Sequence, residues 1–113
     1  MEKEIIILGA GPAGMTAALF AAQAGARVTL VERNAQVGRK LLVTGSGRAN
    51  LSNHGVAPER YFSSSQAEPW LAAVFAQFGP ADLVQWLRTM GLLTYSTADG
   101  WVYPLSNSAQ SVV

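Results

Sequence analysis

Apolar positions change their rhythm twice along the first third of the chain. Ile5-Ile6-Ile7-Leu8 is a continuous apolar run, the pattern of a parallel strand buried on both faces. Gly9-Ala10-Gly11-Pro12-Ala13-Gly14 interrupts it. Beyond the interruption Met15, Ala18, Leu19 and Ala22 recur at helical spacing, and Gly25 stands where a helix closes on a left-handed residue. Arg27-Val28-Thr29-Leu30-Val31 then reads as a second strand that ends on the acid Glu32. Strand, glycine-rich turn, helix and strand predict a βαβ unit.

The turn spells G-x-G-x-x-G and has the context that gives this motif meaning: a strand before it, a helix after it, and an acid about 20 residues further on. Gly9 allows the chain to leave the strand sharply, Gly11 allows a diphosphate to approach bare main chain, and Gly14 lets the helix lie close to the sheet. Pro12 suits the first helical position. The N–H groups and the positive end of the helix dipole then face an anion. A carboxylate at Glu32 can accept from both hydroxyls of a ribose and would repel a 2′-phosphate.

Further along, Trp70, Leu71, Val74, Phe75 and Phe78 share one helical face, with Gly79 as a stop. Leu83, Leu87 and Met90 form a second face after Pro80, with Asp82 in the first turn and Gly91 as terminator. The aromatic residues, Trp86 included, are expected to pack this helical pair rather than to form a stacking platform. Asp99-Gly100 between Leu92–Thr97 and Trp101–Tyr103 predicts a β-hairpin. Ser106-Asn107-Ser108, with Asn107 and Gln110 at capping-box spacing, predicts a helix start about six residues before Val113.

Composition narrows the class. Of 113 residues, half are hydrophobic and 13% charged, so the chain is globular. A formal net charge of +1 implies neither nucleic acid nor an acidic membrane surface as partner. Arg39, Lys40 and Arg48 nonetheless fall within ten residues and are expected beside cofactor phosphates. The absence of cysteine excludes disulfides, a thiolate metal site and a redox dithiol in this segment. Ile5 to Val31 is interrupted by Gly9, Gly11, Pro12, Gly14, Gln23, Gly25 and Arg27, which argues against a membrane span. Glu2 and Glu4 are unlike the basic start of a signal peptide, so a cytoplasmic protein with its mature N-terminus is expected.

A loop follows Glu32, carrying Gly38, Arg39 and Lys40. The apolar Leu41-Leu42-Val43 leads into Thr44-Gly45-Ser46-Gly47-Arg48-Ala49-Asn50-Leu51-Ser52-Asn53. Its small and polar residues can line a planar heteroaromatic ligand, or form an ordinary surface loop. His54, the single histidine, reads as a loop residue without a visible partner. No acid–base pair, metal cluster or activated nucleophile is assembled by the sequence. Only two strands of a parallel sheet occur and the pattern stops inside an element. The chain is therefore read as an N-terminal piece of a larger protein.

The series GAGPAGMTAA, VTLVERN, VGRKLLVTGSGRANLSN and DGWVYPLSNSAQSVV resembles the N-terminal part of the YhiN/BaiN-like bacterial flavoproteins. The resemblance covers nearly the whole chain, and GRK followed by GSGRxN-xSN is its most discriminating part. It implies a truncated, Rossmann-like FAD-binding domain of the glutathione-reductase type over 1–113: an α/β fold with a βαβ unit, a helical pair and a β-hairpin. It implies FAD held by Gly9, Gly11 and Gly14, with main-chain contacts from Ala10, Pro12 and Ala13. Glu32 would bind the adenosine ribose and Arg33 would lie near the adenine. Arg39 and Lys40 would follow the diphosphate and ribityl chain, and Thr44, Gly45, Ser46, Gly47, Arg48 and Asn50 would approach the isoalloxazine. Ala49 stands where the family often has Cys, so no thiol acts there.

The implied activity is FAD-dependent oxidation or reduction of a small organic molecule, with NAD(P)H as a candidate electron donor. The fragment by itself is expected to be inactive and to hold FAD weakly. Two other readings stay open on the residues alone. One is an NAD-binding dehydrogenase with the same fingerprint, and the other is an α/β fragment without a cofactor.

Overall fold

The computed structural model describes residues 2–113. Strand β1 (Glu4–Leu8) and strand β2 (Arg27–Val31) pair in parallel, from Glu4 opposite Arg27 to Leu8 opposite Val31. Helix α1 (Pro12–Gln23) is the crossover between them. It closes as its sequence predicts. Gly25 adopts φ +86°, its N–H bonds Ala22 C=O, and Ala26 N–H bonds Ala21 C=O, so two of the last free carbonyls are satisfied.

The expectation that β1 is buried on both faces does not hold. Ile6 and Leu8 are 70% and 81% exposed. Side chains alternate along a strand, and α1 covers only one face of this two-stranded sheet. Ile7 lies on the covered face, beneath Gly14; Ile6 and Leu8 lie on the other.

Past β2 the chain makes a short helix α2 (Arg39–Val43) and a 3-10 turn (Thr44–Gly47), neither of which the apolar pattern predicted. A two-residue strand β3 (Ser52–Asn53) follows, then helices α3 (Glu68–Gln77) and α4 (Pro80–Thr89). Gly79 separates the two helices, and Asp82 Oδ2 accepts its N–H at 2.8 Å, which caps the start of α4. Phe20 of α1 stacks on Trp86 of α4 with ring centroids 4.9 Å apart and meets Phe78 edge-on at 6.1 Å. Trp86 and Phe78 thus meet α1 rather than each other. The face expected to be the core side of α3 is not covered: no residue of α3 is buried, Phe78 is 37% exposed and Trp70 66%.

Strands β4 (Thr94–Ser96) and β5 (Trp101–Pro104) form the predicted hairpin. Its turn is longer than two residues. Thr97 N–H bonds Trp101 C=O, Gly100 N–H bonds Thr97 C=O, and Gly100 takes the left-handed position at φ +89°. β3 pairs with the other edge of β5, giving the order β3-β5-β4. Most of the buried core lies here, in Val102, Tyr103 and Pro104 with Ala49, Leu87 and Ala109; beside the parallel pair only Ala10, in the turn after β1, is a buried apolar residue among those described.

The helix predicted from Ser106 onward is a single 3-10 turn, Ala109–Ser111. Ser108 makes no side-chain cap, and Asn107 is drawn away from Gln110. Asn107 Oδ1 accepts the Tyr95 hydroxyl at 2.5 Å, with its backbone at φ +52°. A tertiary hydrogen bond thus replaces the local cap.

Candidate functional site

The Gly9–Gly14 turn connects β1 to α1, and its N–H groups divide into two sets. Gly9 N–H continues the parallel ladder to Val31 C=O at 2.7 Å. Ala10 N–H donates to Glu32 Oε2 at 2.8 Å, and Ala10 C=O accepts Gly38 N–H at 2.7 Å. Pro12 has no N–H. The α1 ladder begins with Met15 N–H to Gly11 C=O, and no side chain caps this end. Among the described residues, Gly11, Ala13 and Gly14 are therefore the turn positions whose N–H groups remain for a ligand. Ala10, expected to add a main-chain contact, is 1% exposed and uses both backbone groups inside the turn.

Two glycines of the turn have opposite surroundings. A Cβ on Gly14 would lie 1.9 Å from Gly9 O, so helix and strand can meet this closely only without a side chain there. A Cβ on Gly11 would meet nothing within 4 Å. Open space above Gly11, at the N-terminus of a 12-residue helix, fits a diphosphate.

Glu32 leaves the tip of β2 and crosses to this turn. Its Oε1 accepts both the backbone N–H and Nδ2 of Asn34, each at 2.8 Å. The N–H groups of Asn34 and Ala10 hold its carboxyl below the ordinary value. The site acid is thus ionised, and one acceptor position of roughly four is left for a sugar hydroxyl.

Arg33, Asn34, Arg39, Lys40 and Val43 surround a hollow of about 370 Å³ beside that carboxylate. Gly38 makes this possible. It is buried at φ +65° and starts α2 next to Ala10, which brings residues 39 and 40 back toward 33 and 34. Arg48 lies elsewhere. Its Nε donates to Gly45 C=O at 3.2 Å and its guanidinium carbon sits 4.6 Å above the Tyr103 ring. The three cations that are neighbours in sequence are thus parted, and Arg33 joins Arg39 and Lys40 instead.

Thr44 to Asn50 form a tightly folded segment. Thr44 Oγ1 donates to Leu41 C=O at 2.7 Å, and Ala49 N–H returns to Thr44 C=O at 3.1 Å. Gly45 and Ser46 are both left-handed at φ +55°, and a Cβ on Gly45 would lie 2.8 Å from Asn50 N. Ser46, Gly47 and Arg48 are exposed, whereas Thr44 and Asn50 also edge an apolar cavity of about 360 Å³ between α1 and α4. Asn50 Oδ1 and Trp86 Nε1, both at this cavity, are buried without a hydrogen-bond partner.

The turn, the acid and the loop geometry are those of a Rossmann-type nucleotide site, and residues 3–113 match the HI0933-like protein Rossmann domain. The chain belongs to the HI0933-like family. This HI0933-like chain is 36% identical, over 98% of its length, to a 3-dehydro-bile acid delta(4,6)-reductase of Clostridium scindens. It is 35% identical, over 100% of its length, to a ribosomal RNA dihydrouridine synthase of Escherichia coli. It is also similar, at 34% identity over 66% of its length, to a dihydrolipoyl dehydrogenase of Haloferax volcanii, of which it covers 18%. It spans 27% and 28% of the first two relatives. The family's domain is the α/β, Rossmann-like one that the sequence predicts. No helix among the described residues is long and apolar enough to cross a membrane.

Two residues that organise the HI0933-like site were not singled out from sequence as ligand-facing: Asn34 and Gly38. An Asn two positions after an acid is a recognisable turn signal. Gly38 reads as part of the Gly38-Arg39-Lys40 loop, but its contact with Ala10 is tertiary and has no sequence cue.

Proposed function

We propose that this chain is the cofactor-binding part of an FAD-dependent oxidoreductase. The observation that carries the reading is the Glu32 carboxylate standing at the Gly9–Gly14 turn, with the Arg33, Arg39 and Lys40 hollow beside it. Gly11, Ala13 and Gly14 N–H groups hold the diphosphate. Glu32 accepts from the adenosine ribose. Arg33 lies toward the adenine, and Arg39 and Lys40 follow the diphosphate and ribityl chain. Residues Thr44 to Asn50 approach the isoalloxazine. The residues present fit the group: open main chain where phosphates belong, an ionised acceptor where the sugar belongs, and cations on the loop that follows the acid.

Bound FAD supplies hydride and electron transfer, which no side chain of this chain can perform. The protein's part is orientation and charge. Glu32 and the N–H groups of the turn fix the nucleotide end, so the reactive end is presented in one direction. The cations offset phosphate charge where an exposed site would be screened by salt.

The substrate is a small organic molecule. The two relatives first described are named for a bile acid and for ribosomal RNA, at nearly equal identity. NAD(P)H is the proposed electron donor, and the cytoplasm the proposed compartment.

The test is the flavin content of the purified full-length protein. Release of FAD, rather than FMN or NADH, on denaturation supports the assignment. A colourless protein that takes up no added FAD overturns it.

A further inference from the structure

Asn34 stands between the two charged groups of the nucleotide site. Its backbone N–H and its Nδ2 donate to Glu32 Oε1 at 2.8 Å, and its Oδ1 faces Arg39 Nη1 at 3.5 Å. A side-chain amide donates at one end and accepts at the other, so one residue connects a carboxylate to a guanidinium. Glu32 Oε2 is meanwhile fixed by Ala10 N–H. The carboxylate is thus held at both oxygens, and its remaining acceptor position has one direction. Without the Nδ2 contact, Oε1 would keep only the residue-34 backbone N–H and would be less firmly aimed.

Arg39 is exposed and meets no carboxylate among the described residues. The Asn34 oxygen is its polar neighbour, and both residues line the 370 Å³ hollow.

We infer that Asn34 is the positioning residue for sugar recognition. It aims the free acceptor position of Glu32 at the ribose 2′-hydroxyl and steadies Arg39 for the adjoining phosphate. The inference rests on the FAD reading, and assigns within it how the sugar end is selected. Backbone N–H to Glu32 survives any substitution but proline; the Nδ2 and Oδ1 contacts are what the side chain adds.

ADP and 2′-deoxy-ADP separate the two parts of the claim, because they share adenine and diphosphate and differ by one hydroxyl. Their affinities for the full-length, FAD-free protein are measured by titration calorimetry. The wild-type protein prefers ADP by about tenfold, the worth of one hydrogen bond to a charged group. In Asn34→Ala the residue-34 N–H still reaches Oε1, so the ratio falls to about half its wild-type value or less, while 2′-deoxy-ADP binds only severalfold less tightly. Asn34→Ser, which keeps a hydroxyl donor, recovers part of the ratio. Melting temperatures stay close to wild type, because Asn34 is exposed. An Asn34→Ala protein that keeps the wild-type ratio overturns the inference, as does equal weakening toward both nucleotides. A wild-type protein without preference also overturns it. A wild-type protein that binds neither nucleotide nor FAD is a different result, and refutes the FAD reading itself.

Discussion

The carboxylate of Glu32 accepts the N–H of Ala10 at 2.8 Å, across 22 positions of chain. This bond ties the tip of the second strand to the turn after the first. It converts a local motif and a distant acid into one site. It also removes Ala10 from the set of ligand donors and leaves that role to Gly11, Ala13 and Gly14.

The open space at Gly11 leads to a specific separation of effects. Gly11→Val should abolish FAD binding in the full-length protein, because the added side chain occupies the diphosphate's place. Folding stability should change by no more than about 1 kcal/mol, the scale of a helix-cap substitution. The backbone there is extended and nothing lies within 4 Å. Flavin content and urea denaturation, measured on the same preparation, check both halves.

Gly14→Ala should behave in the opposite way. Its Cβ would fall 1.9 Å from Gly9 O, so α1 must shift away from β1. A loss of about 1–3 kcal/mol is expected, as for other overpacked contacts. Chemical denaturation reads it directly, in the absence of any nucleotide.

Glu32 sets a pH dependence. Its carboxyl is held below the ordinary value of 4.5 by N–H groups of Asn34 and Ala10 that exist as donors to it only in the folded chain. The folded state therefore binds this proton less readily than the unfolded state. The resulting stability is present above the unfolded value and is lost as pH falls through the folded one. Stability of the wild-type protein should decline on acidification below about pH 4.5. Glu32→Gln should lack that component, and the difference between the two titrations isolates it.

Arg48 is expected to act through Tyr103. Its guanidinium lies over the ring at 4.6 Å. Arg48→Ala should lower stability by about 0.5–1 kcal/mol, the range for an exposed cation–π pair. Arg48→Lys should recover part of it. Thermal melts of the three proteins give the comparison.

Much of this was legible in the residues. The βαβ unit, the helix ends at Gly25 and Gly91, the hairpin at Asp99-Gly100 and the packing of Trp86 follow from period and turn chemistry. The signals are local, patterns repeated within a few positions of the chain, even where the contacts they lead to, such as Trp86 on Phe20, are distant. The errors have a common source. Ile5 to Leu8 reads as a buried strand because an apolar run does not say how many faces are covered. Ser106 to Gln110 reads as a helix start because its cap residues are correct locally. Tyr95, twelve residues away, claims Asn107 first. Arg48 reads with Arg39 and Lys40 because all three are near in sequence, whereas the left-handed residues at 45 and 46 turn the chain between them.

The amino-acid order alone determined the glycine turn that leaves main chain open at a helix start, and the acid that ends the second strand. Both depend on short-range demands: a turn that only glycine fits, a proline at a helix start, a strand ending on a carboxylate. Tertiary structure alone decided which donors stay free, which cations share a hollow, and that Gly38 meets Ala10. Those outcomes depend on which distant groups reach a hydrogen-bonding partner first, and spacing along a chain carries no record of that competition.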